Sequence, residues 1–183
     1  RAKELIKRDG GVQSFNFDFT EWTHILDKAG KNKQVLKNWF FVNSTHVVDL
    51  AFYLGGTPKN LTSYVAKNIS WNKSPSLFCG AGKTKKGAMF SYHANWQSAG
   101  RWSIELFTSK GKYILRPLEK IFFQQKGSLE IKEIKLNSKY DKDFKPGLYL
   151  QIKSFISKSD ENLLSLTKHV QMLNIYKKIA GYI

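Results

Sequence analysis

The chain of 183 residues carries 30 Lys and Arg against 14 Asp and Glu, a formal charge of +16 at neutral pH. At about 150 residues per domain this length suits one domain, or two small ones at most, burying about 70% of its unfolded surface, and 42% hydrophobic with 14% aromatic residues argues against a disordered chain. No apolar run reaches the ~18 residues of a membrane span, and the lone Cys79 excludes an intramolecular disulfide or multi-cysteine zinc site and suits a reducing, cytoplasmic setting.

The chain opens at Arg1, with neither a methionine nor an apolar signal region. Its first ten residues, RAKELIKRDG, read as a helix stopped by Gly10 and Gly11. Such an opening is expected of a chain that either has been processed or is a piece of something longer. Residues 12–19 alternate as a strand, with Phe15, Phe17 and Phe19 on one face and Ser14, Asn16 and Asp18 on the other. Residues 23–38 are polar and read as loop with a short helix. Residues 45–54 carry Val47, Val48, Leu50, Ala51 and Leu54 at helical spacing and stop at Gly55-Gly56, with Ser44 or Thr45 as the expected cap.

The pattern then turns to strands at 60–69, 87–96, 101–108, 112–118, 120–125 and 128–136, punctuated by Gly100, Gly111 and Gly127. Residues 145–157 return to helix, with Leu148, Ile152, Phe155 and Ile156 on one side. A last helix is expected over 161–180, with Leu163, Leu166, Val170, Leu173 and Ile179 inward. This order predicts an α+β fold: one mostly antiparallel sheet with helices on one face. The uncovered face predicts self-association.

Gly80-Ala81-Gly82-Lys83-Thr84 ends like a phosphate-binding loop, but Leu77 stands where that motif needs its first glycine, and a strand rather than a helix follows. No G-x-G-x-x-G follows a strand. The basic residues are spread along the chain and are mostly Lys, densest at Lys83, Lys85 and Lys86 in a Gly-rich loop. Without zinc-finger, basic-zipper or RNP-type signals, the charge points to a Lys-rich solvated surface or an anionic substrate rather than to nucleic acid. The four histidines have no metal spacing. His93 alternates with Ser91 and Asn95 on the polar side of a strand and is a candidate to line a site. His46 opens a helix, where the dipole favours a neutral imidazole able to act as a base, and Asp49 lies one turn on. Cys79 has no evident activating base.

The string Asn43-Ser44-Thr45-His46-Val47-Val48-Asp49-Leu50, followed by Leu54-Gly55-Gly56, resembles a helix of the Gfo/Idh/MocA oxidoreductases. GVQSFNFDFTEW resembles the strand opening that family's C-terminal domain, residues 96–119 resemble its sheet strands, and FKPGLYLQIKSFI and IYKKIAGY resemble its last two helices. The resemblance runs in order along the chain. It implies an open-faced α+β substrate-binding and oligomerisation domain spanning residues 1–183, with the N-terminal dinucleotide-binding domain missing. It implies an NAD or NADP cofactor bound mainly by that absent domain, a sugar or nucleotide-sugar substrate, and a homodimer or tetramer formed through the sheet face.

By the same resemblance His46 is the catalytic histidine that moves the substrate hydroxyl proton, and Asp49 is structural. Asn43, His93 and Arg101 are candidate substrate-binding residues, and Tyr92, Trp96 and Trp102 are candidate pocket or interface residues. One position departs from the family: Val42 stands where many members have an Asp four residues before the histidine. The alternative reading is a standalone or non-catalytic binding module of the same fold, with a basic surface for an anionic ligand or nucleic acid.

Overall fold

The computed structural model describes residues 1–28, 30–69, 72–158 and 163–182. They divide into two compact units, residues 1–134 with 175–183, and residues 135–174. The first unit is built on an eight-stranded sheet in the order β2-β3-β4-β1-β5-β6-β7-β8. The strands are β1 (Ser14–Asp18), β2 (Pro58–Ile69), β3 (Asn72–Thr84), β4 (Met89–Asn95), β5 (Ser103–Phe107), β6 (Gly111–Leu115), β7 (Phe122–Gln125) and β8 (Ile131–Glu133). β1 lies parallel to β4, and the other neighbouring pairs are antiparallel. This is the mostly antiparallel α+β fold expected from the sequence.

The alternation in β1 sets the two faces. Phe15, Phe17 and Phe19 are buried and meet Phe52 of helix α4 (Thr45–Gly55), Phe90 and Tyr92 of β4, and Phe40 and Phe78 in ring contacts of 5.3–6.0 Å. Helix α1 (Ala2–Arg8) buries Leu5 and Ile6 and stops where Gly10 and Gly11 take positive φ. Asp9, just past its end, is buried and accepts from the Tyr113 hydroxyl at 2.6 Å, tying α1 to β6. The end of helix α7 (Leu166–Ala180) adds Tyr176, whose hydroxyl donates to Asp49 of α4 at 3.0 Å. Asp49 is therefore a structural tie. The opposite face carries one transverse row of Tyr64, Cys79, His93, Asp18 and Ser103. Tyr64 and Cys79 on it are exposed.

Several sequence expectations need correction. Residues 72–84 form the long strand β3, so Lys83 lies in a strand, with only Lys85 and Lys86 in the turn beyond it. The glycines that imitate a phosphate loop answer to packing: a Cβ at Gly80 would strike the Tyr92 hydroxyl and ring and the Thr62 carbonyl, and one at Gly82 the Asn60 carbonyl and the Phe90 ring. Residues 23–38 form two short helices, α2 (Thr23–Lys28) and α3 (Lys33–Lys37). The strand expected over 128–136 shrinks to β8, and a short helix α5 (Lys139–Asp143) precedes α6 (Leu148–Ile156). In the second unit Leu166 and Val170 of α7 are exposed instead of inward, and Leu148, Ile152, Phe155 and Ile156, set on one side of α6, are exposed as well. Residues 161 and 162 of the expected last helix lie outside the described residues.

Substituting Gly82→Ala overpacks the Phe90 ring and should cost about 1–3 kcal/mol, read as a lower urea midpoint. Ala81→Gly, on the exposed face of the same strand, should cost only about 1 kcal/mol or less. Equal losses at the two positions would remove the packing explanation for the glycines.

Candidate functional site

The site forms where the chain leaves β1. The 15-17-19 alternation continues to Glu21, so an acidic residue falls on the core-facing phase. The segment around it is pinned to the end of β4. Thr20 Oγ1 accepts from the Asn95 amide at 3.1 Å, and Thr23 Oγ1 donates to the Trp96 carbonyl at 2.5 Å. Trp22 Nε1 donates to the Gly100 carbonyl at 2.7 Å, which brings the β4–β5 turn against the same segment.

Glu21 is 2% exposed. Its carboxylate accepts from Asn43 Nδ2 at 3.1 Å to each oxygen, from Ser44 Oγ at 2.8 Å and from Trp102 Nε1 at 3.2 Å. The Arg101 guanidinium completes the set, with Nη1 3.4 Å from Oε2. Burial pushes the Glu21 carboxyl above the usual carboxylate range, and the donors from Ser44, Arg101, Trp102 and Asn43 oppose that shift.

Helix α4 does not begin at a free end. A π-helical turn, Phe40–Ser44, runs directly into it. Such widened turns are common at functional sites; here the turn sets the adjacent residues Asn43 and Ser44 on one carboxylate. Ser44 makes no capping bond, and Thr45 Oγ1 donates back to the Phe41 carbonyl at 3.0 Å, so neither residue caps the helix as expected. His46 therefore lies within a continuous helical run, and the end-of-helix argument for it lapses. Its imidazole is exposed and sits 6.5 Å, ring to ring, from Trp102.

The structure thus brings Asn43 and Arg101 together on Glu21, and His46 to the same corner through Trp102, which touches both Glu21 and Arg101. His93 is not part of it. In β4, Tyr92 points to the core and stacks on Phe17, so His93 takes the opposite face, in register with Cys79 and Asp18. Tyr92 is buried, with its hydroxyl on Ser63 at 2.8 Å and its pKa pushed up to about 12 by burial. Trp96 is likewise buried and donates to the Phe19 carbonyl at 3.2 Å. Both are core residues. Val42 is exposed and supplies no carboxylate; Glu21, reached through Asn43, is the acid of this corner. Sequence reasoning missed Glu21, although its place on the apolar phase after Phe19, next to a tryptophan, is a readable signal of a buried charge. Among the described residues no His, Cys, Asp and Glu cluster could hold a metal ion, and no helix is long and apolar enough to cross a membrane.

This fold is that of the C-terminal domain of Gfo/Idh/MocA-type oxidoreductases. The chain is similar to the WlbA dehydrogenase from Bordetella pertussis, solved with NADH and UDP-GlcNAcA, at 19% identity and a TM-score of 0.64, over 97% of this chain and 55% of that one. It is similar to the UDP-N-acetylglucosamine 3-dehydrogenase GnnA from Acidithiobacillus ferrooxidans at 9% identity and a TM-score of 0.68, over 100% and 57%. An inositol dehydrogenase homolog from Azotobacter vinelandii, complexed with NAD+, matches at 14% identity and a TM-score of 0.60, over 76% and 41%. The chain thus spans about half the length of these structures. No protein-family model matches it, and no curated protein matches it in sequence.

Removing the Glu21 carboxylate strands the buried Ser44 hydroxyl and takes the shared acceptor from the part-buried Asn43 and Trp102 donors. Glu21→Ala should cost about 1–3 kcal/mol, with the half-exposed Arg101 left to water. The pH dependence has a definite sign. A carboxyl whose folded pKa lies above its unfolded value contributes most stability below the unfolded value near 4.5 and loses it as pH rises through the folded pKa. The stability gap between the native chain and Glu21→Gln should therefore narrow over that window. A Glu21 carboxyl ¹³C titration at or below the ordinary range would contradict this.

Proposed function

We propose that this chain is the substrate-binding and assembly half of an NAD(P)-dependent sugar or nucleotide-sugar dehydrogenase, working with a separate dinucleotide-binding domain. The observation that carries the reading is the convergence of His46, Asn43 and Arg101 around buried Glu21, at one corner of a fold shared with sugar dehydrogenases. The chain's one loop-like glycine string is strand β3, and aromatic rings fill the space beside Gly80 and Gly82. A nicotinamide held by the other domain supplies the redox chemistry.

What this chain contributes is binding and proton handling. Asn43 spends its amide nitrogen on Glu21, which leaves its carbonyl oxygen as an acceptor for a sugar hydroxyl. The exposed imidazole of His46, beside Trp102, takes the proton of the hydroxyl being oxidised. The exposed apolar side chains of α6, among them Leu148, Phe155 and Ile156, are a surface that another domain covers in the working enzyme.

In the enzyme carrying both domains, His46→Ala should lower kcat for sugar oxidation by about 10²–10⁴-fold, with thermal stability unchanged. Full activity in that variant would remove His46 from the chemistry.

The open face of the sheet is the surface for a homodimer or tetramer. Cys79 lies on it and is the chain's only cysteine, so it reports directly on cover. Its rate of alkylation by iodoacetamide should fall as protein concentration rises and as the species seen by gel filtration grows. A constant rate together with a monomer at high concentration would argue for a free face.

A further inference from the structure

Arg101 is held by two indoles and a buried acid. Its guanidinium lies 5.3 Å from the Trp22 ring and 4.7 Å from the Trp102 ring, between two indoles. Trp22 is held in turn by the Gly100 carbonyl, and Trp102 by Glu21. The fork is thus fixed from both sides, so little conformational freedom is left to lose when a ligand binds.

The charge of the Arg101–Glu21 pair is also directional. Glu21 is buried to 2%, while the Arg101 side chain is 47% exposed. The carboxylate is shared among Asn43, Ser44 and Trp102 and touches only one corner of the guanidinium. The face turned to solvent is therefore cationic. A planar fork flanked by apolar rings favours a two-oxygen anion over a lone hydroxyl, because paired charge-assisted bonds match its geometry. Trp102 is the shared neighbour of this fork and of the His46 ring, 4.7 Å from the guanidinium and 6.5 Å ring to ring from the imidazole, so an anion on Arg101 and a hydroxyl at His46 are to be spanned by one substrate across the Trp102 indole.

We propose that Arg101 is the anion grip of this site and that the substrate class is acidic sugars, carrying a carboxylate or a phosphate, rather than neutral ones. The inference rests on the sugar-site reading above and names the substrate of that same site.

The test is binding to the 183-residue chain, followed by the indole N–H signals of Trp22 and Trp102 in ¹⁵N NMR spectra. The probes are glucose, glucuronate and glucose 1-phosphate, which share one ring and differ in charge and its chemistry. Both anionic sugars, or whichever of them fits, should bind at least about tenfold tighter than glucose, the range of a charge-assisted pair. The better of the two identifies the source of the anion. Arg101→Gln should abolish the preference, and Arg101→Lys, which keeps the charge but loses the fork, should weaken it. Lys85→Gln, on a distant turn, should leave it intact, which separates the grip from the general attraction of a +16 chain.

If Arg101→Gln unfolds, the Arg101→Lys variant and the native glucose comparison still decide. Glucose binding as tightly as its anionic relatives overturns the grip while leaving a sugar site in place. A preference that survives in Arg101→Lys unchanged overturns it as well. If none of the sugars moves either indole, the grip falls and the sugar-site reading falls with it.

Discussion

A carboxylate taken out of water is the constraint on which this corner of the molecule is organised. Burying an ionised group costs several kcal/mol unless its lone pairs are filled by donors of good geometry. Glu21 meets that demand by drawing donors from separate stretches of chain: Asn43 and Ser44 from the π-helical turn, and Arg101 and Trp102 from the approach to β5. Each partner is thereby held where it would otherwise be free to turn. The same groups then offer their remaining valences outward, the Asn43 carbonyl and the outer edge of the Arg101 fork. The energetic cost of the buried charge and the preorganisation of the site are two sides of one arrangement.

The sheet makes that arrangement possible. β1 sits at the centre, paired with β4 on one side and β5 on the other, so residues just beyond its end meet the connection between those two strands. The aromatic stack of Phe15, Phe17 and Phe19 against Phe52 and Phe40 fixes α4 and its leading π-turn over that end. Glycines at 80 and 82 let the Tyr92 and Phe90 rings lie close over β3, which keeps β4 in the plane that Trp96 and Asn95 need. Core packing and site geometry are therefore coupled through the ends of β1 and β4.

Much of the fold is legible in the sequence because it follows simple periods. Phe15-Phe17-Phe19 gives β1 and its buried face, the Gly10–Gly11 and Gly55–Gly56 pairs stop α1 and α4, and the order of elements yields the α+β class. β3 is hidden because its glycines serve as space for neighbouring rings, so a packing solution reads locally as a loop. The apolar spacing of α6 is real, but its partner is not among the residues packed on it, and periodicity cannot say which surface a stripe will meet. For the site, Asn43, His46 and Arg101 come together, whereas His93 follows the strand's alternation to the other face. Glu21 escapes because a lone acid carries no motif. Only its phase, two residues past Phe19, marks it as buried.

The large positive charge takes on a definite meaning once the site is laid out. Most of the cations are lysines spread over solvated surface, where they raise the local concentration of any anion but select none. Arg101 differs in that its guanidinium lies over two indoles and is ion-paired to a buried acid, while its side chain stays 47% exposed. On the reading proposed above, long-range attraction and short-range selection would be divided between two sets of residues: the diffuse lysine field would bring acidic molecules near, and the Arg101 fork would discriminate among them by shape. Net charge alone therefore gives no identification of a ligand; it becomes informative only where one cation is held rigid.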